Sequence, residues 1–199
     1  MRPVLRWSVA LVLSPLLATG CAPEPWPTTA DEEAALQVGT AAADALTSSL
    51  IGHLTAALDS AGPAGAIDFC ATEALPLTRG AAATVGDVDV KRTSARIRNP
   101  ANAPDSLEAE ALAWFEARRQ ADGVLPSAWV QAEGTEALRY YRALVVNDLC
   151  VQCHGPVTAL SPEVLEVLDR LYPQDAATGY LPGDLRGLIR VRVPRSSAP

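Results

Sequence analysis

The hexapeptide Cys150-Val151-Gln152-Cys153-His154-Gly155 constrains this chain more than any other stretch. Cys-x-x-Cys-His is the attachment signature of c-type haem. On a short helical turn, residues three apart face the same side, so Cys150 and Cys153 can both reach the vinyl groups along one porphyrin edge. His154 then swings beneath the ring and offers an imidazole nitrogen to the iron. Asn147 and Asp148 are good caps for such a turn, and Gly155-Pro156 stops it. Other readings of the pair are weaker. A Cys150–Cys153 disulfide would close a loop too small to stabilise much. A thioredoxin-like redox pair belongs after a strand in a βαβ pattern, which is absent here. A zinc site using Cys70 as a further ligand would need the adjacent Cys153 and His154 on one metal.

Residues 1–20 hold Arg2 and Arg6, an apolar run from Val9 to Ala18, and then Thr19-Gly20-Cys21. This reads as a secretory signal, too short for a permanent membrane span. Small residues leading into Cys21 resemble the lipobox of bacterial lipoproteins, although Ala18 stands where that family prefers Leu. The resemblance implies cleavage before Cys21, lipidation of that residue, and a protein tethered to a membrane in the cell envelope, facing the periplasm or exterior. Several acyl chains on one residue anchor firmly, whereas one alone binds marginally.

The whole chain has a formal net charge of −7. Loss of Arg2 and Arg6 with the signal makes it more acidic, which argues against nucleic acid as a partner. Four cysteines in an exported protein would ordinarily suggest two disulfides. Here two are claimed by the haem motif and one by lipid, which leaves Cys70.

Residues 21–30 are proline-rich and read as a tether. Thr29 and Glu32 form a capping-box pattern that opens a long helix over residues 31–62, ended by Gly62-Pro63. Its stripe is Leu46, Leu50, Leu54 and Leu58. At 1.5 Å per residue it spans roughly 45 Å, so its N-terminal part is expected to stand clear as a stalk or to form a homodimer. Residues 63–199 read as the haem-binding domain. Ala66–Leu75 forms a second helix with Cys70 facing inward, and Pro76 and Gly80 break it. Asp87–Arg98 reads as a strand, followed by an extended loop with Asn99, Asn102 and Asp105 as turn and cap residues. A helix to about Gln120 buries Leu107, Ala111, Trp114 and Phe115. Strands follow near residues 128–132, 137–146 and 185–193, with a helix from Ser161-Pro162 and a loop over 172–183. Helices flanking an antiparallel sheet of four or five strands make an α+β domain.

Residues from about Ala66 to Pro194 resemble the single-haem c-type domains of PAS-like fold long described as a domain of unknown function. The stretches that carry the resemblance are 66–70, 91–105, Arg139-Tyr140-Tyr141, the haem motif, 172–180 and 183–187. Such domains occur alone in bacteria and as the extracytoplasmic sensing region of some histidine kinases. The resemblance implies a PAS-like antiparallel sheet and an axial pair of His154 and Cys70.

The residue inventory bears on the axial pair separately. The only methionine is Met1, which leaves with the signal, so no methionine ligand is available. His53, the only other histidine, is the bis-histidine alternative. Lys91, the only lysine, has an ordinary reading as a solvated strand residue. A vacant sixth position is a further alternative. Arg92, Arg96 and Arg98 alternate along the expected strand and could pair with haem propionates, or simply line a solvated face. Tyr140, Tyr141 and Tyr172 are core candidates, any of which could also reach a propionate. With His154 committed to iron, no Ser/His/Asp set remains, so hydrolysis and group transfer are not expected. Three functions compete: a haem-based redox or small-ligand (NO or CO) sensor signalling to another protein, a tethered electron carrier serving envelope partners, and a structural metal or disulfide module.

Overall fold

The small residues Ala35, Gly39, Ala42 and Ala43 recur at helical spacing, and such a stripe lets a helix sit very close to whatever it covers. In the computed structural model, which describes residues 29–195 except Thr84 and Asp87, that stripe lies flat on a β-sheet. Ala35, Ala42, Ala43 and Leu46 are completely buried. A Cβ on Gly39 would lie 2.2 Å from Cγ of Tyr140, so only glycine fits at this crossing. The expected signal peptide, Cys21 and nearly all of the expected tether lie outside the described residues. Among the described residues, no helix is long and apolar enough to cross a membrane.

The elements in chain order are α1 (Ala30–Ala82), β1 (Asp89–Thr93), α2 (Ser106–Asp122), β2 (Ala128–Glu133), β3 (Ala137–Val145), α3 (Val151–His154), α4 (Pro162–Leu171) and β4 (Leu185–Pro194). The sheet has four antiparallel strands in the order β1-β4-β3-β2. The expected α+β class, with a long N-terminal helix and an antiparallel sheet, is therefore the class adopted.

Helix α1 departs from expectation in two ways. It starts as expected, with the Thr29–Glu32 capping box in place. Gly62 then takes φ 66° and ψ −177°, which interrupts the helix where Gly62-Pro63 was expected to end it, so α1 is two helical arms meeting at a kink. Pro63 restarts the second arm, where its missing N–H costs least. Pro76 and Gly80 do not break the second arm, which continues to Ala82. A mid-helix proline costs about 3 kcal/mol; burial of Ala74, Thr78 and Ala81 opposes that cost. Finally, the N-terminal part of α1 is no free stalk, because it is the half that grips the sheet. The exposed portion comes later, at residues 51–53, 55–56 and 59–61.

Strand alternation explains the two layers. Val90, Val130, Leu138, Tyr140, Ile189 and Val191 meet α1 on one face. Tyr141, Leu188 and Trp129 meet Ala111, Leu112 and Phe115 of α2 on the other. Glu108, fully buried on the α2 side, receives Lys91 Nζ at 2.6 Å and Arg190 Nε at 3.2 Å. Lys91 is thus an ion-pair partner rather than a solvated strand residue. Strand β1 ends at Thr93, short of the expected Arg98. Ser94 turns the chain there, with its Oγ donating to Arg186 O at 2.7 Å and its N–H to Asn102 O at 3.4 Å.

Candidate functional site

The Cys150–His154 segment forms a single helical turn, His154 N donating to Cys150 O at 2.9 Å. Asn147, and not Asp148, caps it: Asn147 Oδ1 accepts from Leu149 N at 3.0 Å and Cys150 N at 3.2 Å. The turn stops at Gly155, where a Cβ would lie 2.5 Å from Val151 O. Loop 172–183 braces this turn from behind. Gly179 N donates to Gly155 O at 2.7 Å, and Tyr180 N to His154 O at 2.9 Å. His154 Nδ1 donates to Ala177 O at 2.7 Å, which fixes the tautomer and leaves Nε2 as the free lone pair. Burial pushes the imidazole pKa well below its ordinary value, and Arg186 and Arg98 add to the effect. The ring is therefore held neutral, the form that binds metal.

The turn forms one wall of a cavity of about 470 Å³, within the range of cofactor pockets. Cys150, Cys153 and His154 line it from α3, and Cys70 lines it from the second arm of α1. The first arm contributes Thr47, Ile51, Leu54 and Leu58, an i, i+4, i+7, i+11 stripe. The second arm is held against α4 by Ile67, which packs with Leu160, Val164 and Leu168. Cys70, Cys150 and Cys153 are free and half-buried. Burial pushes the Cys153 thiol up to about 11. It also raises that of Cys70, against the pull of Arg92 and Arg98. Among the described residues, no three His, Cys, Asp or Glu side chains group to hold a metal ion by themselves, as the zinc reading would need.

The three arginines expected on one strand part company. Arg92 stays on β1, lines the cavity and donates from Nε to Thr78 Oγ1 at 3.0 Å. Arg98 also lines it, though from the loop; its Nη2 lies 2.9 Å from Asp175 Oδ2 and 2.6 Å from Cys153 O. Arg96 points elsewhere, its guanidinium 4.0 Å from the Tyr180 ring centroid, and it does not line this cavity. The strand ends before Arg96, so alternation no longer governs where that side chain goes.

Two cavity arginines escaped sequence reasoning, Arg142 and Arg186. Arg142 sits on β3 and pairs with Asp44 of α1. Arg186 opens β4, and no ion pair engages it among the described residues. Its Nε is buried without a hydrogen-bond partner, and burial lowers its pKa. Arg92 likewise has no ion pair among the described residues, and burial lowers its pKa too. Arg92, half-buried and without an ion pair among the described residues, stands beside free thiols and a neutral imidazole and suits the acidic edge of a porphyrin. The position of Arg186 at a strand start beside Gly187 was the available signal. Gly187 is obligatory there, because a Cβ would lie 2.3 Å from Thr93 O.

The remaining candidates resolve simply. His53 is exposed on the first arm, outside the cavity lining; its Nδ1 donates to Ser49 O at 2.8 Å. Tyr140 and Tyr141 are sheet-core residues. Tyr172 lines the cavity, with its hydroxyl pKa raised chiefly by burial. Asn99 caps the short turn Pro100–Asn102, and Asp105 caps α2 in a reciprocal box with Glu108.

Comparison with known proteins adds to this geometry. No curated protein matches the chain. A solved structure, described as the crystal structure of the cyanobacterial heme-protein Tll0287, superposes with a TM-score of 0.60 at 24% identity. The match covers 84% of this chain and 100% of that one, and it shows a common fold. The Tll0287-like family model matches residues 27–194, a span that takes in both arms of α1, the sheet and the Cys150–His154 turn, and the chain belongs to that family.

Proposed function

We propose that this chain is an exported, redox-active c-type haem protein that holds one haem in the α1–α3 cavity and acts as a redox or small-ligand sensor. One observation carries the reading. His154 Nδ1 is committed to Ala177 O, so Nε2 is directed by elimination to a metal, on the same turn as two free cysteines lining the same cavity. Haem, when bound, supplies an iron that exchanges one electron and a position for a diatomic ligand.

The chain's own residues divide the work. Cys150 and Cys153 would hold the haem through thioether bonds at its vinyl groups. His154, oriented by Ala177, would offer a nitrogen to the iron. Cys70 would offer it a sulfur, and Arg92 and Arg98 favour the thiolate form of Cys70 electrostatically. Arg92 and Arg98 would receive the propionates. Ile51, Leu54 and Leu58 exclude water from one side. An anionic sulfur lowers the reduction potential and is held less firmly by ferrous than by ferric iron. Cys70 stands on the second arm beyond Gly62, whereas His154 stands on the braced turn. Release of Cys70 on reduction, or on binding of NO or CO, would loosen the second arm from that turn, which is the two-state element a sensor requires. Lipidation of Cys21 would hold the protein at a membrane of the cell envelope, where it would signal to a protein partner.

Electron carriage is the second reading. It draws on Ile51 and Val145, exposed apolar side chains on the cavity lining that suit a transient redox partner. Attachment is tested by exporting the full chain in cells with c-type maturation machinery. A denaturing gel stained for haem and an intact mass should show one haem. Loss of haem on acid–acetone extraction would overturn covalent attachment.

A further inference from the structure

A second cavity, of about 460 Å³, lies on the α2 side of Arg186, the one residue it shares with the cavity proposed for haem. Its apolar lining comes from Leu112, Ala113 and Leu185, and its charged lining is unusual. Glu116 and Asp184 line it, but Arg119 engages both: Arg119 Nη2 lies 2.5 Å from Glu116 Oε1, and Nη1 lies 3.8 Å from Asp184 Oδ1. That leaves two guanidiniums without an ion pair among the described residues, Arg96 and Arg186. They lie 4.0 and 5.4 Å from the centroid of the Tyr180 ring. Arg96 is exposed and donates from Nε to Ala176 O at 3.2 Å, and Arg186 donates from Nη1 to Ser94 Oγ at 2.8 Å, but the buried Nε of Arg186 has no partner. An uncompensated buried donor is costly, and an incoming acceptor would relieve it.

We propose that this cavity binds a small amphipathic monocarboxylate. The volume and apolar lining call for a compact hydrocarbon body, and the two guanidiniums without an ion pair call for a single anionic head. Inorganic phosphate would satisfy the arginines but leave the apolar lining bare. Resting on the haem reading, a coupling follows. Arg186 lines both cavities, and Tyr180 touches this cavity while its N–H holds His154 O. Neutralising Arg186 removes a positive charge near the iron, which favours the ferric state and lowers the reduction potential.

The test uses the exported full-length protein and benzoate as probe, followed by calorimetry. Benzoate should bind one per chain, while benzyl alcohol, which lacks the charge, should not. Arg96→Ala should weaken benzoate about tenfold, the worth of one charge-assisted hydrogen bond. Ala113→Phe, at an exposed position on α2, should block the cavity and abolish binding without disturbing the core. Absence of benzoate binding, equal binding of benzyl alcohol, tighter binding of inorganic phosphate, or full binding to Ala113→Phe would each overturn the site. Potentiometry with and without benzoate tests the coupling separately, and an unchanged potential with benzoate bound would overturn it. A haem stain on the same sample reports whether the haem reading fails, which leaves the calorimetric result standing on its own.

Discussion

The two arms of α1 have opposite designs. The first arm buries Ala35, Ala42, Ala43 and Leu46 completely and brings its backbone at Gly39 against the ring of Tyr140. The second arm carries two prolines, buries fewer side chains completely, and presents the half-buried Cys70 to the cavity. Close-packed small residues make a contact that tolerates no displacement, because any added volume meets backbone or ring. The second arm is held instead by Ile67 against α4 and by Thr78 through Arg92. One helix thus supplies both a fixed scaffold and a separately anchored arm that carries Cys70, with Gly62 between them.

The largest expected effect breaks the first arm. Gly39→Val forces a branched side chain into the Tyr140 ring, which is 1% exposed. It should cost about 3 kcal/mol or more, read as a lowered midpoint in urea denaturation. Gly62→Ala addresses the joint. Its backbone lies in a region that only glycine adopts readily, so the substitution should cost about 1–3 kcal/mol. It should also alter the cavity more than the sheet, so a variant with intact sheet stability and a changed haem spectrum is expected.

A smaller effect concerns the sheet beneath the first arm. Hydrogen bonds from Arg139 hold the Glu133 carboxyl below its ordinary pKa, opposed by burial and helped by Arg192. A depressed carboxyl stabilises the fold above the unfolded pKa of about 4.3 and loses that contribution as pH falls through its folded pKa. Urea midpoints should therefore fall below about pH 4.3, and Glu133→Gln should fall less steeply over the same range.

Much of this was legible in the sequence, for physical reasons. The haem-motif spacing, the Thr29–Glu32 box, the Asp105 cap and the strand alternation are local signals, and each stands where it was expected. Inward-facing Cys70 followed from helical phase, and the structure places it on the cavity. The stalk failed because thirty helical residues look overlong until a sheet face is known to accept Ala35 and Gly39. The strand to Arg98 failed because Ser94 makes tertiary hydrogen bonds that no local pattern reveals. Arg186 stood in the 183–187 stretch beside Gly187, but that position alone did not assign it a role. Its importance lies in a buried Nε that lacks a partner, which only the assembled cavity can show.

The central claim is that the second arm delivers Cys70 to the iron opposite His154. The direct measurement is the optical spectrum and reduction potential of the haem-loaded Cys70→Ala variant, set beside His53→Ala. Cys70→Ala should keep its haem covalently attached, lose the low-spin ferric spectrum of a thiolate, rise in potential and bind CO readily. His53→Ala should match the unaltered protein. A Cys70→Ala spectrum and potential identical to the parent, with a high-spin His53→Ala, would contradict the account and make the ligation bis-histidine.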